Sequence, residues 1–344
     1  MVGIKDRPVR IGIIGAGMGY IHVKNLKKCP EAEVETVALC DVNEERAKHV
    51  ASEFGVPNVF TDHKEMLKQD WIDAVLVCTP NYLHAPMTLD AFKAGKHVMC
   101  EKPMAMNATE AAEMVAAGKK AGKTLMMAFN NRFRADSQLL KKFIENGELG
   151  DIYYAKTGWI RRKGIPGCGG WFTTKEKAGG GPLIDIGVHV LDLTLWLMGN
   201  PRPVSVMGSA YNKFGPAAAK ERGGTFDVED LAVGLIKLDN GATLFLEASW
   251  ASHIAKEQIY TSLIGTAGGA DLDPLRIYKD IHGVPTDVSP QFKPVSGHEM
   301  EIKHFVQRLR EGKEPMSTGQ HGLDIMNILD AIYKSMETGK GVDI

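Results

Sequence analysis

The sequence predicts an α/β fold: a doubly wound parallel sheet, followed by an α+β domain with a large open, mostly antiparallel sheet. Three observations carry this. Near-continuous apolar runs alternate with helical patterns over residues 1–129, as in parallel sheets covered on both faces. A glycine-rich turn, Gly15-Ala16-Gly17-Met18-Gly19, directly follows the first run. Beyond about residue 150 strands follow one another, and helical spacing returns only near the C-terminus. The domains are therefore drawn at 1–129 and 130–344, with the C-terminal helices as candidates to pack back on the first domain.

The elements follow in order. Val9 to Ile14 reads as a buried strand, and a helix runs from the glycine turn to about Lys28. Val34 to Cys40 is strand, Asn43 to Phe54 helix, Ala74 to Cys78 strand and His84 to Ala94 helix. His97 to Cys100 is strand, Asn107 to Ala121 a helix opened by an Asn107/Glu110 capping box, and Thr124 to Ala128 strand. In the second part the strands are Asp151 to Arg161, Pro203 to Tyr211, Asp230 to Leu238, Ala242 to Ala251 and Glu257 to Ile264. Asp239-Asn240-Gly241 signals a hairpin. In the strand after it, Leu244, Leu246, Ala248 and Trp250 point to one face, and Thr243, Phe245, Glu247 and Ser249 to the other. The first face should meet helices. The second is a candidate subunit interface for a homodimer or homotetramer. Gly297 to Glu337 is helical again.

Composition excludes several classes. The chain has 344 residues, a formal net charge of −1, and 44% hydrophobic residues. That balance gives no reason to expect nucleic acid or an anionic membrane as a partner. Met1 to Arg10 is polar and lacks an apolar h-region, and no run of about 18 apolar residues occurs. Cys29, Cys40, Cys78, Cys100 and Cys168 form no Cys-x-x-Cys motif and read as buried, reduced thiols of a cytoplasmic protein. No ligand set with metal spacing is present.

The glycine turn sits between a strand and a helix, the context in which such a turn binds a dinucleotide pyrophosphate. Its spacing, G-x-G-x-G, is one residue shorter than the usual form. Asp41 ends the second strand, where a carboxylate accepts ribose hydroxyls and repels a 2′-phosphate. Val42-Asn43-Glu44 follows with no arginine, so NAD is expected over NADP; a helix cap is the plainer reading of Asp41. Thr79, Pro80 and Asn81, and Glu101-Lys102-Pro103, follow later strands at the edge where ligands of such sheets bind.

In the second domain Gly179-Gly180-Gly181-Pro182 leads into a helix. Ile186, Val190, Leu193 and Leu197 share a core face, and Asp185, His189, Asp192 and Trp196 another. An acid four residues before a histidine can orient the imidazole as a general base, although such a pair is often structural.

Taken in order, the glycine turn, Asp41, Thr79-Pro80-Asn81 with His84, Glu101-Lys102-Pro103, Asn131-Arg132-Phe133, Asp185-x-x-x-His189 and Asp330 to Ser335 resemble the Gfo/Idh/MocA family of glucose–fructose oxidoreductase and inositol dehydrogenase. The resemblance covers nearly the whole chain. It implies a Rossmann domain binding NAD, with Glu101 at the nicotinamide ribose, Lys102 at the reacting carbinol and a cis Lys102–Pro103 bond. It implies a sugar, cyclitol or derivative as substrate, oxidised as His189, oriented by Asp185, takes the hydroxyl proton. Trp159 and Trp171 are candidates to stack on a sugar or to fill the core. Arg132 is a candidate to reach substrate hydroxyls. Arg161, with Arg162 and Lys163, is a candidate for an anionic substrate group or a solvated loop. The Gly-rich segment 164–181 is read as a mobile lid, a plain loop or a loop ordered by a neighbouring subunit. Two rivals remain: a glycosidase using tightly bound NAD for transient oxidation, and a dinucleotide-sensing regulator.

Overall fold

The computed structural model describes residues 3–344, which divide into two compact units: residues 3–130 with Ser296–Leu323, and Asn131–Val295 with Asp324–Ile344.

The first unit is built on β1 (Val9–Ile14), β2 (Val34–Cys40), β3 (Asn58–Phe60), β4 (Ala74–Val77), β5 (His97–Cys100) and β6 (Leu125–Met127). All six run parallel in the order β3-β2-β1-β4-β5-β6. The order reverses between β1 and β4, the switch point at which doubly wound sheets bind ligands. The crossovers include α1 (Ala16–Leu26), α2 (Glu44–Phe54), α3 (His63–Leu67), α4 (His84–Lys93) and α5 (Ala108–Ala121). Asn43 caps α2 and Asn107 caps α5 through side-chain oxygens. β1, β4 and β5 are buried almost throughout, as a sheet covered on both faces requires.

The second unit opens with α6 (Ala135–Glu145) and β7 (Ile152–Ile160), then α7 (Lys175–Ala178). A π-helical turn, Leu183–Gly187, runs straight into α8 (Val188–Leu197). β8 (Pro203–Tyr211), α9 (Gly215–Arg222), β9 (Leu231–Leu238), β10 (Thr243–Ser249) and β11 (Gln258–Gly265) follow. The sheet is extended by β12 (Gly269–Leu272), β13 (Arg276–Ile281) and β14 (Val284–Val288). After α10 (Gly297–Glu311) and α11 (Gly319–Thr338), β15 (Val342–Asp343) completes nine strands in the order β14-β13-β12-β11-β7-β10-β9-β8-β15. Only the β7–β10 pair is parallel.

The expected hairpin at Asp239-Asn240-Gly241 joins β9 to β10, with Gly241 at φ 84°. Leu244, Leu246, Ala248 and Trp250 are fully buried. On the opposite face Met207, Leu235 and Phe245 lie in register across β8, β9 and β10, and Met207 and Leu235 are exposed.

α8 departs from the expected two-faced helix. Its core face is as predicted, but Leu191, Asp192, Thr194, Leu195 and Trp196 are buried as well. The segment Lys175–Leu197 is long and apolar enough to cross a membrane, although Asp185 and Asp192 interrupt any continuous apolar run. Within the protein 89% of its most apolar window is buried, as in a central core helix.

Candidate active site

In the first unit the three glycines divide the work of a dinucleotide turn. Gly15 ends β1 at φ 99°, and a Cβ there would lie 2.5 Å from the Cys78 carbonyl oxygen. A Cβ on Gly19 would lie 2.8 Å from Ile13 Cγ2, so this glycine lets α1 pack on the sheet. A Cβ on Gly17 would meet nothing within 4 Å. Gly17 is exposed, between the half-buried Met18 and the buried Ala16. The tight turn, the open backbone and the close packing are the three tasks of the longer fingerprint, here completed one residue early. The open backbone at the first turn of α1 fits a pyrophosphate.

Asp41 stands beside this turn. Its Oδ2 accepts from the Ala16 amide at 2.8 Å, and its Oδ1 from the Asn43 amide at 2.8 Å. Arg46 doubles back from the first turn of α2 and donates Nη2 to Oδ1 at 2.7 Å and Nε to Oδ2 at 3.1 Å. Burial raises the Asp41 pKa, but Arg46 and the two amides outweigh it and leave it below the usual value. Sequence reading looked for an arginine immediately after Asp41 and so missed the one a helical turn brings back. Nor is Asp41 the cap of α2, since Asn43 fills that place.

Cys78-Thr79-Pro80-Asn81 follows β4 and leads through a 3₁₀ turn into α4. His84 ties this loop to the next one. Its Nδ1 lies 2.6 Å from the Pro103 carbonyl and its Nε2 2.8 Å from that of Thr79. The Lys102–Pro103 peptide bond is cis, as the resemblance implied. Glu101, at the end of β5, accepts from His22 Nε2 at 2.5 Å through Oε1, and from the Lys102 amide at 3.2 Å through Oε2. His22, three residues beyond Gly19 on α1, was not singled out from sequence. The signal was a histidine on the helix face that the glycine packs against the sheet.

In the second unit the segment Leu183–Leu197 carries Asp185 and His189. Its start is anchored by Glu229, which accepts from the amides of Gly181 at 2.8 Å and Leu183 at 3.1 Å and from the Tyr333 hydroxyl at 3.0 Å. Burial pushes the Glu229 pKa above its ordinary value. Trp250 Nε1 donates to Asp185 Oδ2 at 3.0 Å. The His189 ring lies 6.1 Å from the Trp159 ring, tilted 47°. Trp159 Nε1 in turn donates to Glu257 at 2.9 Å, and Arg161 lies over the indole at 4.9 Å.

One expectation is corrected and two open readings are narrowed. Arg132 is 1% exposed and grips Asp192, with Nη2 at 2.6 Å and Nε at 2.9 Å, so it ties α8 to the start of the second unit instead of presenting itself to substrate. Arg161 is engaged by Trp159 and stands 3.7 Å from Glu257, while Arg162 donates to the Ala255 carbonyl, so these two do not form a free anion cradle. The Gly-rich segment is tied to the chain at residues 225–227, as a packed loop is. Thr225 N donates to the Cys168 carbonyl, Thr173 Oγ1 to the Thr225 carbonyl and Lys175 N to Asp227, and Cys168 is buried with Phe226 and Trp250. Trp171 stacks on Phe172 at 4.0 Å within this segment.

All five cysteines are free and buried. Burial pushes the Cys40 thiol to about 12 and raises that of Cys78 well above its ordinary value, which leaves both unreactive.

A nucleotide turn on a switch-point helix, joined to a second unit with a nine-stranded sheet, defines a two-domain dinucleotide enzyme. Residues 9–129 match the description "Oxidoreductase family, NAD-binding Rossmann fold", and residues 137–271 match "GFO/IDH/MocA C-terminal domain". The chain belongs to the Gfo/Idh/MocA family and is an oxidoreductase whose cofactor is NAD. It is 37% identical to the D-glucoside 3-dehydrogenase of Escherichia coli K12, covering 98% of both chains. It is 32% identical to the NAD⁺-dependent scyllo-inositol 2-dehydrogenase of Bacillus subtilis 168, covering 98% of this chain and 97% of the relative. Among solved structures, levoglucosan dehydrogenase in complex with NADH and levoglucosan aligns with a TM-score of 0.88 at 27% identity, covering 98% of this chain and 100% of that one.

Proposed function

We propose that the chain oxidises a secondary alcohol on the ring of a sugar or glycoside, and reduces the corresponding ketone in reverse. The observation that carries this reading is the Glu101-Lys102 turn, held at the carboxyl edge of the parallel sheet beside the glycine turn, where a bound dinucleotide's reactive end is expected. The likeness to dehydrogenases of glucosides, inositol and levoglucosan supports a cyclic polyol as substrate. Glycoside cleavage draws no such support from these names.

NAD, when bound, accepts the hydride. In the second unit His189, backed by Asp185, is suited to take a hydroxyl proton, and in the first unit Lys102 is suited to donate a hydrogen bond to an oxygen on which negative charge grows. Asp185 is already held by Trp250, so the acid is fixed before substrate arrives. Arg132 and Glu229 act at a distance, by holding the two ends of the segment that carries His189. The open face around Met207, Leu235 and Phe245 supports a homo-oligomer, and Leu235→Asp should shift the particle mass toward monomer in light scattering.

The test is a panel of glucosides, free hexoses, cyclitols and their keto derivatives, followed by NADH absorbance and by release of aglycone. NADH formed from ring alcohols without cleavage supports the reading. Cleavage without net NADH, or no turnover with any ring alcohol or ketone, defeats it.

A further inference from the structure

His22 is 1% exposed, and its hydrogen bond to Glu101 joins α1 to the end of β5. The carboxylate accepts, so His22 Nε2 donates. His22 Nδ1 is also buried and has no hydrogen-bond partner. Most buried side-chain polar atoms find a partner. This histidine tolerates an unmet nitrogen while committing the other to a single carboxylate.

The surroundings show why that carboxylate needs it. Glu101 is 8% exposed, and burial alone raises a carboxyl pKa. The His22 hydrogen bond, with the charges of His22, Lys102 and His298, overcomes this and brings Glu101 to about 2. α10 supplies two more groups. Glu301 is fully buried, its Oε2 has no hydrogen-bond partner, and burial pushes its pKa well above the ordinary value. Burial thus works against a second negative charge beside Glu101. His298, whose pKa burial lowers, stands 3.3 Å from Glu301 Oε1. From α4 His84 faces the same group, its pKa also lowered by burial, and the Cys78 and Cys100 thiols are raised by burial and remain neutral. Glu101 is thus the acid of this cluster whose charged form is favoured, and His22 is the side chain that bonds it, beside the Lys102 amide.

We propose that His22 is a positioning residue of the cofactor site: it fixes the Glu101 carboxylate toward the ribose that carries the nicotinamide. This rests on the reading of Glu101 as the ligand of that ribose.

The test needs no substrate. NADH binding is measured by fluorescence titration across pH, with ADP, which lacks the nicotinamide ribose, as the control ligand. His22→Ala should weaken NADH by about tenfold to a hundredfold, the effect of losing a hydrogen bond to a charged group, and leave ADP unchanged. Its NADH affinity should also fall at a higher pH than the wild type's as the medium is acidified, because Glu101 without His22 protonates sooner. His22→Gln, whose amide nitrogen reaches the place of Nε2, should restore both properties, and His22→Asn, whose amide stops at the place of Nδ1, should not. If the alanine variant fails to fold, the glutamine–asparagine pair carries the comparison. Equal NADH affinity and an unshifted acid limb in alanine or asparagine variants, with the wild type binding NADH, overturn the positioning role alone. Equal losses of NADH and ADP also overturn it. A wild type that binds no NADH overturns the reading of Glu101 as well.

Discussion

The Trp250 indole donates its N–H to the Asp185 carboxylate at 3.0 Å, and the ring that makes this bond is fully buried. Asp185 thus has a rigid partner from the end of the neighbouring strand, independent of the histidine four residues on. Trp250→Phe keeps the ring in the core and removes the donor. A hydrogen bond to a charged group contributes about 1.5–3 kcal/mol, so turnover should fall at least about tenfold while NADH affinity stays at the wild-type value. Steady-state kinetics beside an NADH titration separates the two.

Lys102→Ala addresses the chemistry directly. If the amine stabilises charge on the reacting oxygen, its loss lowers kcat by about 10²–10³-fold, as for an oxyanion donor. NADH affinity should change little, because the Glu101 carboxylate keeps its His22 bond. A variant with wild-type kcat would remove Lys102 from the mechanism.

Arg46 alters the cofactor expectation drawn from Asp41. A bare carboxylate repels a 2′-phosphate, but this one is paired with a guanidinium that is half exposed and can turn to meet a phosphate. Arg46→Ala should therefore sharpen the preference for NAD, lowering NADP⁺ affinity by about tenfold and NAD⁺ affinity much less. The ratio of the two dissociation constants is the readout.

Asp73 makes the first unit sensitive to acid. It accepts from Arg7 at 2.6 Å and from the Arg10 amide at 2.9 Å. Burial raises its pKa, but these partners bring it down to about 2. A pKa depressed in the folded state gives stability that is present above the unfolded value, near 3.9, and is lost as pH falls toward about 2. Asp73→Asn should cost about 1–2 kcal/mol at neutral pH, allowing for the exposure of Arg7, and the gap between variant and wild type should close below about pH 3. Urea unfolding at several pH values measures it.

Much of this was legible in the residues. The buried parallel strands declare themselves because both faces need apolar side chains, and the glycine turn because its neighbours fix its context. β3 escaped because it has three residues, all half-buried, and so no run to detect. The π-helical turn escaped because an extra residue in a mostly apolar stretch barely changes the pattern. Lone residues were hardest. Arg132 looks like a ligand in sequence, and only the buried Asp192 opposite it shows where its charge is spent. His22, Arg46, Glu229 and Trp250 matter through partners 5 to 79 positions away, which no local window joins.

The nucleotide unit is assembled from two stretches of chain that translation delivers far apart. Residues 1–130 emerge early, yet α10 from the later stretch packs on α1 and β1, and the Ser317 hydroxyl donates to the Met127 carbonyl at the end of β6. A nascent chain carrying every glycine of the turn and the whole six-stranded sheet still leaves that surface bare until about residue 323 is made. Competence to hold the dinucleotide should therefore arrive late in synthesis, and a fragment cut after the first 130 residues should be a poor surrogate for the unit it nominally contains.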